Sequence, residues 1–467
     1  MHLTPDEMLR WCQVLLGQRK LEDKRTLADY LASIPRLPTM ESVPRGTAVL
    51  VRGDLDAKPG AKIGEGDVRL RSMEATLRFG QQYGWKQVIF GHIGRKPDQS
   101  LAAISKRLGE IMSCEVPLVQ DWLDEGSLTI PKHVQETIER AQPGTILMLE
   151  NTRRYAIERA LWELKPDDLP ALAPKLAQVA NEFAEKISTV YVNEALSAGS
   201  LDTSTTVVPA AMDRVALGLY VAHEFDTAML RCLEAELVVF SGIKIDKLDD
   251  LEAIIARGKV KMIITAGSIA MSLKKAEAEL AGRQFSLGVA EDPAHKDKPY
   301  YIPRERIEQA KRLISDARAK GIEVVTPIDF VLANGRVSET IGREEQQFDV
   351  GPKTSELFAK KIDEFIERHR GRGVAFYNGV FGMFEDPRFE AGTKAFIPLL
   401  KRMKDAGIEV YVGGGEGGTA LERYGSESDV THSFTAGGTV LNALGSQPVP
   451  YLVALAMAAD RQRRKQH

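Results

Sequence analysis

Nine short apolar runs, each rich in Val and Ile, constrain most strongly what this 467-residue chain can fold into. They lie at 48–52, 87–90, 145–149, 190–192, 237–240, 262–265, 323–325, 373–377 and 409–412. Apart from a polar residue at one end of some, the runs are apolar rather than alternating, as expected of strands covered on both faces. Helical periodicity falls between them, over 101–112, 170–187, 248–256, 304–320, 354–368 and 391–406. Strands alternating with helices predict an α/β fold with parallel sheets, right-handed crossovers and helices on both faces. In such sheets ligands bind at the loops beyond the carboxyl ends of the strands.

Charge is nearly balanced, with 62 Lys and Arg against 65 Asp and Glu, and apolar residues make up 43% of the chain. That balance argues against a protein that coats polyanions, so no nucleic-acid partner is expected. Cys12, Cys114 and Cys232 lie far apart, which excludes a disulfide scaffold and a cysteine-based zinc site and fits a reducing compartment. The first residues are acidic and lack the basic-then-apolar layout of a signal peptide. The longest apolar stretch, 451–459, is far short of the ~20 residues a membrane span needs. The expectation is a cytoplasmic globular enzyme without a membrane partner.

Loop chemistry changes midway along the chain. Up to about residue 215 the strand-ending loops carry His and Arg, as in Arg52-Gly53-Asp54, Gly91-His92-Ile93-Gly94-Arg95 and Asn151-Thr152-Arg153-Arg154. Later they carry Gly and Lys, as in Ser241-Gly242-Ile243-Lys244, Thr265-Ala266-Gly267, Tyr377-Asn378-Gly379 and Gly413-Gly414-Gly415. Two lobes follow, an anion-binding one over 46–215 and a phosphate-cradling one over 236–445. Residues 216–235 read as a connecting helix. Residues 1–45, with helical patterning at 5–16 and 21–33, read as an N-terminal helical extension, and 446–467 as a separate C-terminal segment.

The strongest local signal is Gly413-Gly414-Gly415-Glu416-Gly417-Gly418-Thr419, between an apolar run and a helix. Consecutive glycines let backbone N–H groups converge at a helix N-terminus, where the dipole favours phosphate. Thr435-Ala436-Gly437-Gly438-Thr439 repeats the arrangement, and Asn378-Gly379-Val380-Phe381-Gly382 adds a third loop. One such loop alone could merely permit a tight turn; several together favour a nucleotide site, though not a P-loop, whose Gly-Lys-Ser/Thr is absent. Lys244 and Lys247 could reach phosphates, or be surface lysines. His92, Arg95, Arg69, Arg153 and Arg52 could grip an anion. Isolated arginines are usually solvated, but three strand-ending loops presenting Arg at one end of a sheet are harder to dismiss.

Taken in order, these residues resemble the phosphoglycerate kinase family along nearly the whole chain from about residue 46. Val49–Asp56 resembles its VxVRxDxN, Gly91–Arg95 with Ser100-Leu101-Ala102 its SHLGRP…SLAP, Leu149–Arg153 its LENxR, and Tyr191–Ala195 its YVNDAF. Ser241–Lys244 resembles GGAKV, Asp349–Thr354 DIGPKT, Tyr377–Glu385 WNGPxGVFE, and Gly413–Glu416 GGGDT. The resemblance implies two Rossmann-like lobes joined by an interdomain helix, the N-terminal one binding phosphoglycerate and the C-terminal one Mg²⁺ with ATP or ADP. The apolar part of 446–467 would return to the first lobe. The implied reaction is reversible phosphoryl transfer between 1,3-bisphosphoglycerate and ADP, giving 3-phosphoglycerate and ATP, in a monomer.

By the same resemblance Arg69 and Lys244 are catalytic, aided by backbone donors at Gly414 and Gly437. Asp54, Asp56, Arg69, His92, Arg95 and Arg153 would hold the sugar acid. Lys244, Lys247, Gly267, Asn378, Glu385, Gly413, Gly414 and Gly415 would hold the nucleotide, and Glu416 the metal.

The departures are specific. Where the family continues GTAHRAHAS, this chain has Leu201, Asp202 and Thr203, exchanging a phosphate-gripping Arg and His for an apolar, an acidic and a neutral side chain. Asp56 stands in place of Asn, Glu416 in place of a metal-linked Asp, and Ile243 and Phe381 in place of smaller or cyclic residues beside the adenine. Three readings stay open here: a divergent phosphoglycerate kinase, a same-fold kinase of another carboxylate, and a catalytically silent paralogue with a binding or assembly role.

Overall fold

The computed structural model describes residues 2–18, 25–94, 96–162, 164–243, 245–445 and 448–466. Arg95 and Lys244, both assigned roles above, lie outside the described residues. The chain divides into two compact units, one of residues 1–226 with 448–467 and one of 227–447.

In the first unit the strands are β1 (Ala48–Gly53), β2 (Lys86–Phe90), β3 (Leu118–Val119), β4 (Ile146–Leu149), β5 (Val190–Glu194) and β6 (Arg214–Leu217). They form one parallel sheet in the order β3-β4-β2-β1-β5-β6. β1 and β4 are buried almost throughout, which accounts for their unbroken apolar sequence. Val49, Val51, Ile89, Met148 and Val192 share a core with Leu77, Ile104 and Leu108 from the covering helices and with Trp85 from the turn before β2. Because the sheet is parallel, the loops after β4, β2, β1 and β5 emerge side by side at one edge.

The helix Pro5–Leu15 starts at a capping box between Thr4 and Glu7 and packs its buried Met8 and Cys12 on the helix Leu169–Lys186. Asn181 exchanges two hydrogen bonds with the Leu3 backbone, and Trp11 Nε1 donates to the Thr206 carbonyl at 2.7 Å. The expected helix over 21–33 is described only as Leu27–Ser33, capped by Thr26, because 19–24 lie outside the described residues. The helix Pro450–Gln466 also belongs to this unit; it packs on β6 and on Leu27–Ser33, and Tyr451 Oη donates to the Leu196 carbonyl. Its basic end is drawn inward in part, Arg463 donating to the Ser33 carbonyl.

Residues 216–235, read above as one helix, begin as strand: Ala216 and Leu217 close β6, which pairs with β5. A helix then runs over Leu219–Glu224, continues as a π-helical turn at Phe225–Met229 and ends with Leu230–Cys232.

The second unit holds β7 (Leu237–Phe240), β8 (Met262–Thr265), β9 (Glu323–Val325), β10 (Phe330–Leu332), β11 (Val337–Ser338), β12 (Gln347–Val350), β13 (Val374–Asn378), β14 (Glu409–Val412) and β15 (His432–Ser433). A parallel sheet runs in the order β15-β14-β13-β7-β8-β9, and β11-β10-β12 form a small antiparallel sheet. Phe358, Ile362, Phe365, Phe396 and Leu400 from two helices pack on Leu237, Val239, Ala375 and Val410. No helix among the described residues is long and apolar enough to cross a membrane.

Candidate functional site

In the first unit the cationic residues converge because their strands are neighbours. Arg52 is nearly the last residue of β1, His92 follows β2 by two residues and Arg153 follows β4 by four. All three are buried, together with Asp202 from the loop after β5. Arg52 Nη2 donates to His92 Nδ1 at 2.8 Å, its Nε to Ser204 Oγ at 3.0 Å and its Nη1 to the Gly53 carbonyl at 2.6 Å. The His92 ring therefore accepts at Nδ1 and is neutral. Burial holds its pKa well below the usual histidine value, and the charges of Arg52, Arg153 and Arg69 push the same way.

Arg153 donates to the Gly94 carbonyl at 2.7 Å and stacks over Trp162 at 4.7 Å. Glu158 receives Thr152 Oγ1, Ser204 N and Ser204 Oγ at 2.6–2.9 Å. Burial first, and then the nearby Asp202 charge, push the Glu158 carboxyl up to about 7. Asp202, read in the sequence as an added negative charge at the acid site, lies inside the cluster. It lies fully buried, with Oδ1 receiving Trp162 Nε1 at 2.8 Å and Oδ2 set 3.4 Å from Arg153 Nη2 and 3.7 Å from Arg52 Nη2. Thr203 is likewise internal, its hydroxyl donating to the Ile157 carbonyl.

A second group lies at the mouth of β1. Asp54 is buried and accepts from Ser197 Oγ at 2.7 Å, while Arg69 Nη1 stands 3.8 Å away. Burial raises the Asp54 pKa, against the opposing pull of Arg69. Asp56 is partly exposed; its Oδ1 receives Gly94 N at 2.9 Å, and its Oδ2 and carbonyl both face Arg69. Of the six acid-binding candidates, five are described, and all five lie at this one sheet edge. Trp162, Glu158, Ser197 and Ser204 carry no motif that would have marked them in the sequence; only folding makes them neighbours.

The glycine loops of the second unit pack directly on one another. A side chain at Gly414 would come within 2.2 Å of the Phe434 carbonyl, and one at Gly437 within 2.5 Å of the Gly414 carbonyl. Only residues without Cβ let the ends of β14 and β15 approach so closely. Gly415 adopts φ 74° and caps the helix Glu416–Tyr424, while Gly437 opens the helix Gly437–Leu444. The two helix N-termini are thus brought together. Gly413 N–H is already committed to the Tyr377 carbonyl at 2.8 Å. Lys247 Nζ ties β7 to β13, donating to the Ser241 carbonyl at 2.8 Å and to Asn378 Oδ1 at 3.1 Å.

Beside these loops a solvent-open cleft of about 170 Å³ is lined by Gly242, Ile243, Gly267, Ser268, Tyr300, Phe348, Phe381, Met383, Glu385 and Glu416. Ile243 and Met383 leave apolar surface exposed there, which suits a flat ring. Gly267, Glu385 and Glu416 therefore share one cleft, whereas Lys247 and Asn378 form a separate polar contact at the strand ends. Tyr300 and Phe348 were not legible as site residues, since they come from a loop and an edge strand distant in sequence. Among the described residues no three His, Cys, Asp or Glu groups converge as a metal site. Glu416 lines the cleft, and its carboxylate is a hard oxygen ligand of the kind Mg²⁺ takes.

The phosphoglycerate kinase family model matches residues 41–447. The chain is 28% identical to "Phosphoglycerate kinase" of Salinibacter ruber over 433 residues, covering 89% of this chain and 97% of that protein. It is 27% identical to "Phosphoglycerate kinase 3, cytosolic" of Arabidopsis thaliana, covering 88% and 96%. Among solved structures, the phosphoglycerate kinase of Pyrococcus horikoshii superposes with a TM-score of 0.71 at 21% identity, over 92% of this chain and all of that one. That of Coxiella burnetii gives 0.63 at 23% identity, over 90% and 99%. With a match across most of its length, the chain belongs to the phosphoglycerate kinase family.

Proposed function

We propose that the protein catalyses reversible phosphoryl transfer between 1,3-bisphosphoglycerate and ADP, giving 3-phosphoglycerate and ATP. The observation that carries this reading is the convergence of Arg52, Arg69, His92 and Arg153 at one edge of the first sheet, in a chain of this family. Phosphoryl transfer requires little covalent chemistry from the protein. It requires an in-line arrangement and positive groups on the transferring phosphoryl.

In this reading Arg69 is the catalytic arginine, held ready by Asp54 and Asp56. Neutral His92 and the two buried guanidiniums orient the acid, and Asp54 positions the Ser197 hydroxyl beside it. Gly414 and Gly437 bring backbone donors at the paired helix N-termini to the phosphates, and Lys247 with Asn378 fixes the loop ends. Lys244 would follow the phosphoryl group. The cleft with Ile243, Met383 and Glu385 would take the base and ribose. Mg²⁺ bound through Glu416 would neutralise phosphate charge.

A coupled assay with 3-phosphoglycerate and Mg-ATP tests the proposal. Saturable turnover that is lost in Arg69→Ala is expected. No turnover at millimolar substrate, in protein whose melting temperature rises with Mg-ATP, would overturn it.

A further inference from the structure

Asp202 occupies the middle of the cation cluster as an anion would. Its Oδ2 lies 3.4 Å from Arg153 Nη2, 3.7 Å from Arg52 Nη2 and 3.5 Å from His92 Nδ1. Charge-assisted hydrogen bonds are normally 2.7–2.9 Å. The His92 contact sets two acceptors against each other, because Nδ1 already receives Arg52 Nη2. The firm attachment is at the other oxygen, where Trp162 Nε1 donates at 2.8 Å. The cluster therefore holds this carboxylate loosely, and Arg153 Nε is buried without a protein partner. Asp202 begins the short helix Thr203–Thr206 but makes no side-chain cap there, so local helix chemistry does not account for its direction.

We propose that Asp202 is a built-in counter-anion that competes with the substrate's acid groups for Arg52 and Arg153, and so sets how tightly the acid binds. The inference rests on the proposed function in one respect only, that the cluster is where the acid binds. Two guanidiniums shared with one internal carboxylate attract an incoming anion less than two guanidiniums alone. When no substrate is bound, the Asp202 charge offsets part of the cost of keeping two guanidiniums buried.

Calorimetric titration of the full chain with inorganic sulfate and, separately, with 3-phosphoglycerate tests the idea without requiring turnover. Asp202→Asn should bind both anions at least tenfold more tightly than the unaltered protein. Trp162→Phe keeps the ring under Arg153 but removes the anchor on Oδ1, and should show an intermediate gain. A purely structural Asp202 would give the opposite sign, weaker binding in both variants. Unchanged or weaker binding in Asp202→Asn that still unfolds cooperatively would overturn the proposal. If that variant does not fold, the Trp162→Phe titration decides by the same criterion. Tighter sulfate binding in a protein with no kinase turnover would sink the kinase reading and leave this one standing. Turnover with unchanged anion affinities would do the reverse.

Discussion

Arg69 Nη1 donates to the Asp56 carbonyl at 2.9 Å and stands 3.3 Å from Asp56 Oδ2, so the arginine assigned to the reacting phosphoryl is tethered by an acidic neighbour. Asp56 is held in turn by Gly94 N, from the loop that follows β2. The pair is partly exposed and contributes only about 0–1 kcal/mol to stability. Arg69→Ala should therefore lower kcat by about 10²–10³-fold, the range seen when one charge-stabilising donor is removed, while the melting temperature stays nearly constant. Steady-state kinetics with a thermal melt check both parts.

Asp56→Asn keeps an oxygen for Gly94 N and removes one negative charge from the acid site. At about 4 Å a like charge opposes an anion by roughly 1 kcal/mol in a well-solvated setting. The KM for 3-phosphoglycerate should fall about three- to tenfold. A higher KM would mean that Asp56 holds the substrate rather than repelling it.

His92 is neutral in the folded protein because burial, then the positive charges of Arg52, Arg153 and Arg69, disfavour its charged form. In the unfolded chain it takes up a proton below about pH 6.5. The unfolded state then binds more protons than the folded one, so this residue's contribution to stability is lost as pH falls through 6.5. Glu158 and Glu194, both pushed up to about 7 by burial, tilt the balance the other way between about pH 4.5 and 7. The test is thus a difference. Unfolding free energies of the unaltered protein minus those of His92→Gln should decrease by about 1.4 kcal/mol per pH unit well below pH 6.5. A difference independent of pH would contradict the neutral ring.

Lys247→Met removes a charged donor shared between Ser241 and Asn378. In the proposed function the ammonium also donates to phosphate, and a hydrogen bond to a charged group contributes about 1.5–3 kcal/mol, so losing it should raise the Kd for ADP roughly ten- to a hundredfold by direct titration. An unchanged Kd would assign Lys247 to fold support alone.

Deleting residues 1–17 should destabilise the first unit. Met8 and Cys12 are fully buried and Leu3 nearly so, and burying a large apolar side chain is worth about 1.5–3 kcal/mol. The deletion also removes Trp11 from the Thr206 carbonyl, in the short helix that Asp202 begins. A clear fall in the urea midpoint is expected; an unchanged midpoint would show that this segment is dispensable.

The nine apolar runs all became strands, because a strand buried on both faces writes an unbroken Val- and Ile-rich segment into a few consecutive residues. Short or polar strands left no such mark. Val337–Ser338 is half exposed and only two residues long, and the second half of Arg214–Leu217 fell in what reads as the start of a helix. The glycine loops were legible because missing side chains show in the sequence, but the contact between Gly414 and Gly437 was not.

Local pattern, then, determined the strands, the glycine-rich turns and the candidate cations Arg52, Arg69, His92 and Arg153, since each depends on residues adjacent in the chain. The tertiary structure alone decided what Asp202 does. In sequence it is a stray negative charge beside Leu201. In the fold, the adjacency of β4, β2, β1 and β5 brings it to Arg153, His92 and Arg52, and a loop 40 residues earlier supplies Trp162. The strand order of a parallel sheet is set by crossovers and packing over long separations, and no local window of the chain encodes it.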